Sequence, residues 1–318
     1  KEKILVTTDM MNEGVHFDLS FASPFHLGFK LVSVNVSDIM AMGGKPKYLF
    51  LNIAMRKDAE EEVFWKMYEG IADAMNIYEV NLVGGDLCRA ENDMALSAAI
   101  IGTGDKVITR SGASIGDKIY VTGTVGDSAC GLALLKNLTD ESRNRVKSYE
   151  FRVRSKKQKN KDEKALSLTH NSKLLTLNWS TAEPLLRRHL MPVARDSSEI
   201  AKHATAMIDI SDGLFLDLCR ICDESNVGAR VYLDKIPVSK ELKQASDIMG
   251  LDHIHFATSG GEDYELLFTA PAKFGVRSSE FEVTCIGEIT EKDRIAVDKS
   301  GNESPLKTEG YQHFGSPR

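Results

Sequence analysis

Four acidic motifs hold the residue types that could do chemistry: Thr7-Thr8-Asp9, Ser37-Asp38, Gly84-Gly85-Asp86 and Asp209-Ile210-Ser211-Asp212-Gly213. Their flanks place each at the end of an apolar strand or the start of a helix. Carboxylates beside glycine suit a hard cation, because the oxygens converge while the glycine admits backbone or phosphate closely. Any one of them alone is more often a turn or a helix cap. Together they point to a polyphosphate-metal site. Ser211 and Asp212 open a helix, so its free N–H groups and dipole suit a phosphate. The turn from Thr122 to Ser128, rich in glycine, offers the same, against the plainer reading of a cap. Common kinase signatures are missing. Gly43-Gly44-Lys45-Pro46 lacks the hydroxyl residue of a Walker A loop, and the HRD and DFG strings of protein kinases do not occur.

These motifs sit among short apolar runs alternating with helical periodicity. Ile4 to Thr8, Tyr48 to Ala54, Val80 to Val83 and Ala95 to Thr103 read as strands. A helix from about Asn35 to Met42 stops at Gly43-Gly44. Another follows Asp58 as N-cap with Glu61 in capping-box position, and Phe64, Met67, Ile71 and Met75 give it one apolar stripe. The turn Arg110-Ser111-Gly112-Ala113 marks a domain boundary. Residues 1–112 then form an ATP- and metal-binding domain, and 113–318 a second domain with a basic surface insertion near 138–190. In the second, Lys118 to Thr122, Ala206 to Ile210 and Ala229 to Leu233 read as strands and Leu214 to Asn226 as a helix.

Composition narrows the class. A chain of 318 residues suits about two domains, and 42% hydrophobic with 27% charged residues is ordinary globular composition. The net charge of −6 argues against nucleic-acid binding. The basic excess concentrates in residues 143–164, a run expected to be solvated. Five cysteines form an odd set with one CxxC pair, Cys219 and Cys222, which reads as two buried thiols on one helix face. No stretch of 18 apolar residues and no signal peptide is seen, so no membrane partner and a cytoplasmic location are expected.

The runs TTDMMNEGVHFD (7–18), VSDIMAMGG (36–44), GGD (84–86), MIDISDGL (207–214), SGGEDYELLFT (259–269) and GYQHF (310–314) together resemble the thiamine-monophosphate kinases. The resemblance runs nearly end to end, apart from the stretch before Leu190. Aminoimidazole ribonucleotide synthetase, selenophosphate synthetase and the hydrogenase maturation dehydratase share scattered Asp and Gly motifs. The GGEDYELLFT run and Val15-His16-Phe17 look more like the thiamine enzymes.

The resemblance implies an α+β protein with a two-domain aminoimidazole-ribonucleotide-synthetase-like fold. Its N-terminal α+β domain contributes to a dimer β-barrel, and its C-terminal domain is α/β. It implies ATP-dependent phosphorylation of thiamine monophosphate to thiamine diphosphate, the last step in making that cofactor, in a homodimer using several Mg²⁺ ions. Thr7, Thr8, Asp9, Asp38, Asp86, Asp209 and Asp212 match metal positions; Tyr68, Gly85, Asp86, Arg110 and Ser211 match ATP positions. His16, Glu262 and Tyr311 match positions that hold the acceptor. No residue matches a catalytic acid, base or nucleophile. The family also carries a Gly-Asp-Asp segment upstream of the TTD strand, which would lie ahead of Lys1. Two rival readings are another small-molecule enzyme of the same superfamily and a nucleotide-binding protein without turnover.

Overall fold

The computed structural model describes residues 2–149, 165–170, 173–272 and 282–307. In chain order the main elements are β1 (Lys3–Asn12), α1 (Pro24–Ala41), β2 (Lys45–Arg56), α2 (Glu61–Tyr78), β3 (Asn81–Ala90), β4 (Ala95–Gly104), β5 (Lys118–Thr122) and α3 (Asp127–Asn137). There follow α4 (Asp140–Lys147), β6 (Leu166–His170), β7 (Lys173–Leu177), α5 (Trp179–Leu190), β8 (Ala206–Asp209), α6 (Leu214–Ser225) and β9 (Gly228–Tyr232). The chain closes with α7 (Lys240–Met249), α8 (His253–Ser259), β10 (Leu266–Ala270), β11 (Val283–Thr290), β12 (Arg294–Val297) and β13 (Glu303–Pro305). Two compact units form: residues 1–39, 45–103 and 131–194 make the first, and 40–44, 104–130 and 195–318 the second.

The first unit holds a four-stranded sheet in the order β1-β4-β2-β3, with β2 antiparallel to β4 and parallel to β3. Alternation sets its faces. Leu5, Met11, Leu49, Leu51, Ile53, Leu96 and Ile100 turn inward and are buried, while Ile4, Val6, Met10, Tyr48 and Phe50 are exposed. Helix α1 starts at Pro24, well before the expected Asn35: Pro24 takes the first helical position and Ser23 accepts the His26 N–H at 3.2 Å. Residues 25–37 are buried on every side, so no polar face marks the periodicity. Helices α1 and α2 meet backbone to backbone at Gly28 and Gly70. A Cβ on either would lie 2.0 Å from a carbonyl oxygen, of Met67 and of Phe25 respectively. Asp58 is not the cap of α2. The helix starts at Glu61, and Asp58 instead accepts from Arg56 at 3.1 Å.

The described residues of the expected surface insertion are a structured part of the first unit. Leu166, Leu168, Leu177, Leu185 and Leu186 are buried, and α3 meets α5 where a Cβ on Gly131 would lie 2.2 Å from the Leu185 carbonyl oxygen. Residues after Leu190 satisfy polar groups of that unit: the Pro192 carbonyl accepts from Ser33, and the Ala194 N–H donates to Tyr78. Sequence periodicity weakens here because a short hairpin and short helices replace one long repeat. The described part of the basic run is anchored too, with Arg145 5.0 Å over the Trp179 ring and Lys147 donating to the Leu19 carbonyl at 2.7 Å.

The second unit is built on a seven-stranded sheet, β13-β12-β9-β11-β5-β10-β8, in which β9 and β12 alone pair in parallel. Helix α6 buries Leu214, Phe215, Leu218, Ile221 and both CxxC thiols in a cluster with Ile119, Val121, Ile208 and Leu267. Among the described residues no helix is long and apolar enough to cross a membrane.

Candidate functional site

In the first unit, Thr7 and Asp9 project from one side of β1 toward α1. The Thr7 hydroxyl donates to Asp38 Oδ2 at 2.5 Å, and the Asp9 N–H donates to Asn35 Oδ1 at 3.1 Å. Asn35 and Asp38 are three residues apart on α1, hence on one face. Thr8 points the other way, and its hydroxyl donates to the Ala98 carbonyl. Asp86 is exposed and, among the described residues, accepts only its neighbour's N–H, from Leu87 at 2.9 Å. The GGD motif is not at a strand end but within β3. Gly85 has φ +154°, and a Cβ there would lie 1.8 Å from the Leu51 carbonyl oxygen, so glycine lets β2 and β3 close up around the register shift at Leu49 and Phe50.

His16 Nδ1 accepts the Asn12 N–H at 3.1 Å, so the neutral ring carries its proton on Nε2. His16 lines a pocket with Phe17, Phe21, His26, Lys30 and His189. Tyr68 is half-buried, with its ring 4.8 Å from that of Phe64 one turn earlier.

In the second unit, Asp209 ends β8 nearly fully buried, paired with Leu266 of β10. The next residues form a loop whose N–H groups are not free for a phosphate. Those of Ser211, Asp212 and Gly213 all point to Asp217 Oδ2, at 3.1, 3.1 and 3.2 Å. Asp217 lies on the first turn of α6, four residues after the N-cap Gly213, which is where a side chain can turn back on the loop. Burial pushes its carboxyl up to about 6, against the Arg220 guanidinium and the N–H groups of Asp212 and Gly213. The three N–H donors and the Arg220 guanidinium favour its ionised form against that burial. Arg220 bridges Asp217 Oδ1 and Asp212 Oδ2, each at 2.5 Å. The Thr122 to Ser128 turn is likewise a cap: buried Asp263 accepts the N–H groups of Gly126 and Ser128, at 2.6 and 2.9 Å.

Glu262 joins this loop through its backbone, donating to the Ser211 carbonyl at 2.8 Å, while Tyr264 donates to that of Ile210 at 3.0 Å. Both have positive φ, 64° and 52°. Next to them Glu265 is fully buried and bonded by Arg195 Nε and Nη2 and by the Thr122 hydroxyl. Arg110 is exposed, its carbonyl accepting from Ser225. Tyr311 lies outside the described residues. The motif reading missed Asn35, Asp217 and Arg220, although an acid and an arginine three apart just after SDG were visible in the sequence.

Among the described residues no three His, Cys, Asp or Glu side chains stand together as a ready-made metal cage. The donors are nonetheless all carboxylate and hydroxyl oxygens, the set that fits Mg²⁺, an ion that keeps several waters and uses few protein carboxylates beside phosphates.

The chain matches the AIR synthase related protein family, its N-terminal domain over residues 1–104 and its C-terminal domain over 114–300. It is 34% identical to the thiamine-monophosphate kinase of Aquifex aeolicus, covering 98% of this chain and 89% of that one. With the Escherichia coli K12 enzyme of the same name the identity is 32%, over 100% and 88%. The solved structure of AaThiL complexed with AMPPCP and TMP superposes with a TM-score of 0.78 at 31% identity, covering 98% of this chain and 88% of that one. The fold is the two-domain one of that family, and the chain belongs to the thiamine-monophosphate kinases.

Proposed function

We propose that this chain transfers the γ-phosphoryl group of ATP to the phosphate of thiamine monophosphate, giving thiamine diphosphate and ADP. The observation that carries the reading is the likeness along nearly the whole chain to a kinase structure holding an ATP analogue and TMP. The transfer is direct and in line, with positioning and charge neutralisation as its main devices. A phosphate monoester loses its second proton near pH ~6, so the acceptor oxygen is already anionic and needs no base. His16, Glu262 and Tyr311 hold the acceptor; Tyr68, Gly85, Asp86, Arg110 and Ser211 hold the nucleotide. Mg²⁺ would be held by Thr7, Asp9, Asp38, Asp86, Asp209 and Asp212, with Thr8 offering its backbone oxygen rather than its hydroxyl, and when bound it screens the charge of the two phosphates. The reaction belongs in the cytoplasm, where ATP is supplied.

The active form is a homodimer. Ile4, Val6 and Met10 of β1 are 74, 64 and 58% exposed and share their sheet face with Tyr48 and Phe50 of β2. A contiguous apolar face on a sheet suits a second copy better than water.

The test is a paired assay with thiamine monophosphate or free thiamine as acceptor, at equal concentration with ATP and Mg²⁺. Thiamine diphosphate is expected from the first alone. Comparable conversion of free thiamine would overturn the base-free mechanism, and no product from either would overturn the assignment.

A further inference from the structure

We propose that Arg220 and Asp217 are positioning residues that aim the Asp212 carboxylate at a divalent cation; this rests on the reading of Asp212 above. Asp217 has no exposed side-chain surface and gathers three successive N–H groups of the Asp212 loop on one oxygen. That fixes the backbone. Its other oxygen takes one nitrogen of Arg220, and the second Arg220 nitrogen takes Asp212 Oδ2. That fixes the side chain. Asp212 Oδ1 has no hydrogen-bond partner among the described residues, and the side chain keeps 27% of its surface open.

A counter-ion for Asp217 alone would need one contact. Arg220 spends its second arm on a carboxylate eight residues back, leaving one oxygen held and one presented. A planar fork holds two carboxylates in fixed geometry, whereas an ammonium is a single point charge on a flexible stem. Partners that orient ligating carboxylates matter to metal affinity nearly as much as the ligands do.

The experiment measures Mn²⁺ binding by paramagnetic resonance of the free ion, on the whole chain with a non-hydrolysable ATP analogue. Wild type, Asp212→Asn, Arg220→Lys and Asp217→Asn are compared, each with its melting curve. Arg220→Lys keeps a cation opposite Asp217, so it is expected to fold and to bind Mn²⁺ about tenfold more weakly. Asp217→Asn, whose amide turns donors toward Arg220, is expected to weaken binding as well. If Asp212→Asn lowers affinity while both other variants bind like wild type, the positioning role is overturned and the cation reading stands. Unchanged binding in Asp212→Asn overturns the cation reading itself. Loss of the fold in both Arg220→Lys and Asp217→Asn would make the pair a stability element and overturn the proposal.

Discussion

Glu262 donates its N–H to the carbonyl oxygen of Ser211 at 2.8 Å, which makes one surface of two loops fifty-one positions apart in the chain. The backbone bond holds the Glu262 main chain in place, at φ +64°. Glu262→Gln therefore keeps the loop and removes a charge. The KM for thiamine monophosphate is expected to rise about tenfold, the worth of a charge-assisted hydrogen bond, with the KM for ATP unchanged. Steady-state kinetics with each substrate varied in turn decides it; equal effects on both would remove Glu262 from the acceptor side.

Asp86→Asn should cut turnover by about 100-fold or more without altering the melting temperature. Its carboxylate is exposed and, among the described residues, accepts only the Leu87 N–H, which an amide oxygen can also accept. Near-normal turnover at saturating Mg²⁺ would exclude it from the charge-neutralising set.

Gly70→Ala tests the helix crossing. Its Cβ would sit 2.0 Å from the Phe25 carbonyl oxygen, so α1 and α2 must separate. Overpacking of that kind costs about 1–3 kcal/mol, or more where backbone must move, and urea unfolding measures it.

Thiol reactivity follows burial. Cys88 and Cys285 are exposed, whereas Cys130, Cys219 and Cys222 are buried. Burial pushes the Cys130 and Cys222 thiols up to about 12. In the native protein Cys88 and Cys285 are expected to react with an aromatic disulfide, and the other three only on unfolding. Cys130 and Cys222 also set an alkaline limit. Below pH ~9 each is protonated in both states and contributes nothing; above it the unfolded chain ionises first, so stability falls as pH rises toward ~12. Cys130→Ala should flatten that loss in melting curves taken from pH 8 to 11.

The paired substitution Val6→Glu with Phe50→Glu places charge on the exposed face of the four-stranded sheet. Light scattering is expected to show a dimer for wild type and a monomer for the variant. A wild-type monomer at high concentration would sink the proposed assembly.

By itself the sequence determined the chemistry on offer and four elements of the second unit, β5, β8, α6 and β9, but not α7, α8 or β10 to β13. β5 runs from Lys118 to Thr122 as read, and α6 ends one residue before Asn226, because flanking glycines and a clean apolar stripe punctuate them. Cys219 and Cys222 fell on one buried face as their spacing required. What only the tertiary structure decided is who satisfies whom. The Ser211, Asp212 and Gly213 N–H groups looked free for a phosphate until Asp217 folded back from α6 onto them, and the GGD glycines looked like a strand end until Leu51 came within reach of Gly85. Half of α1 was hidden for the opposite reason: buried on all sides, it has no polar face for a pattern to show. Local spacing records which side chains share a face, but the partner of a buried N–H or carboxylate is set by segments brought together only when the chain closes on itself.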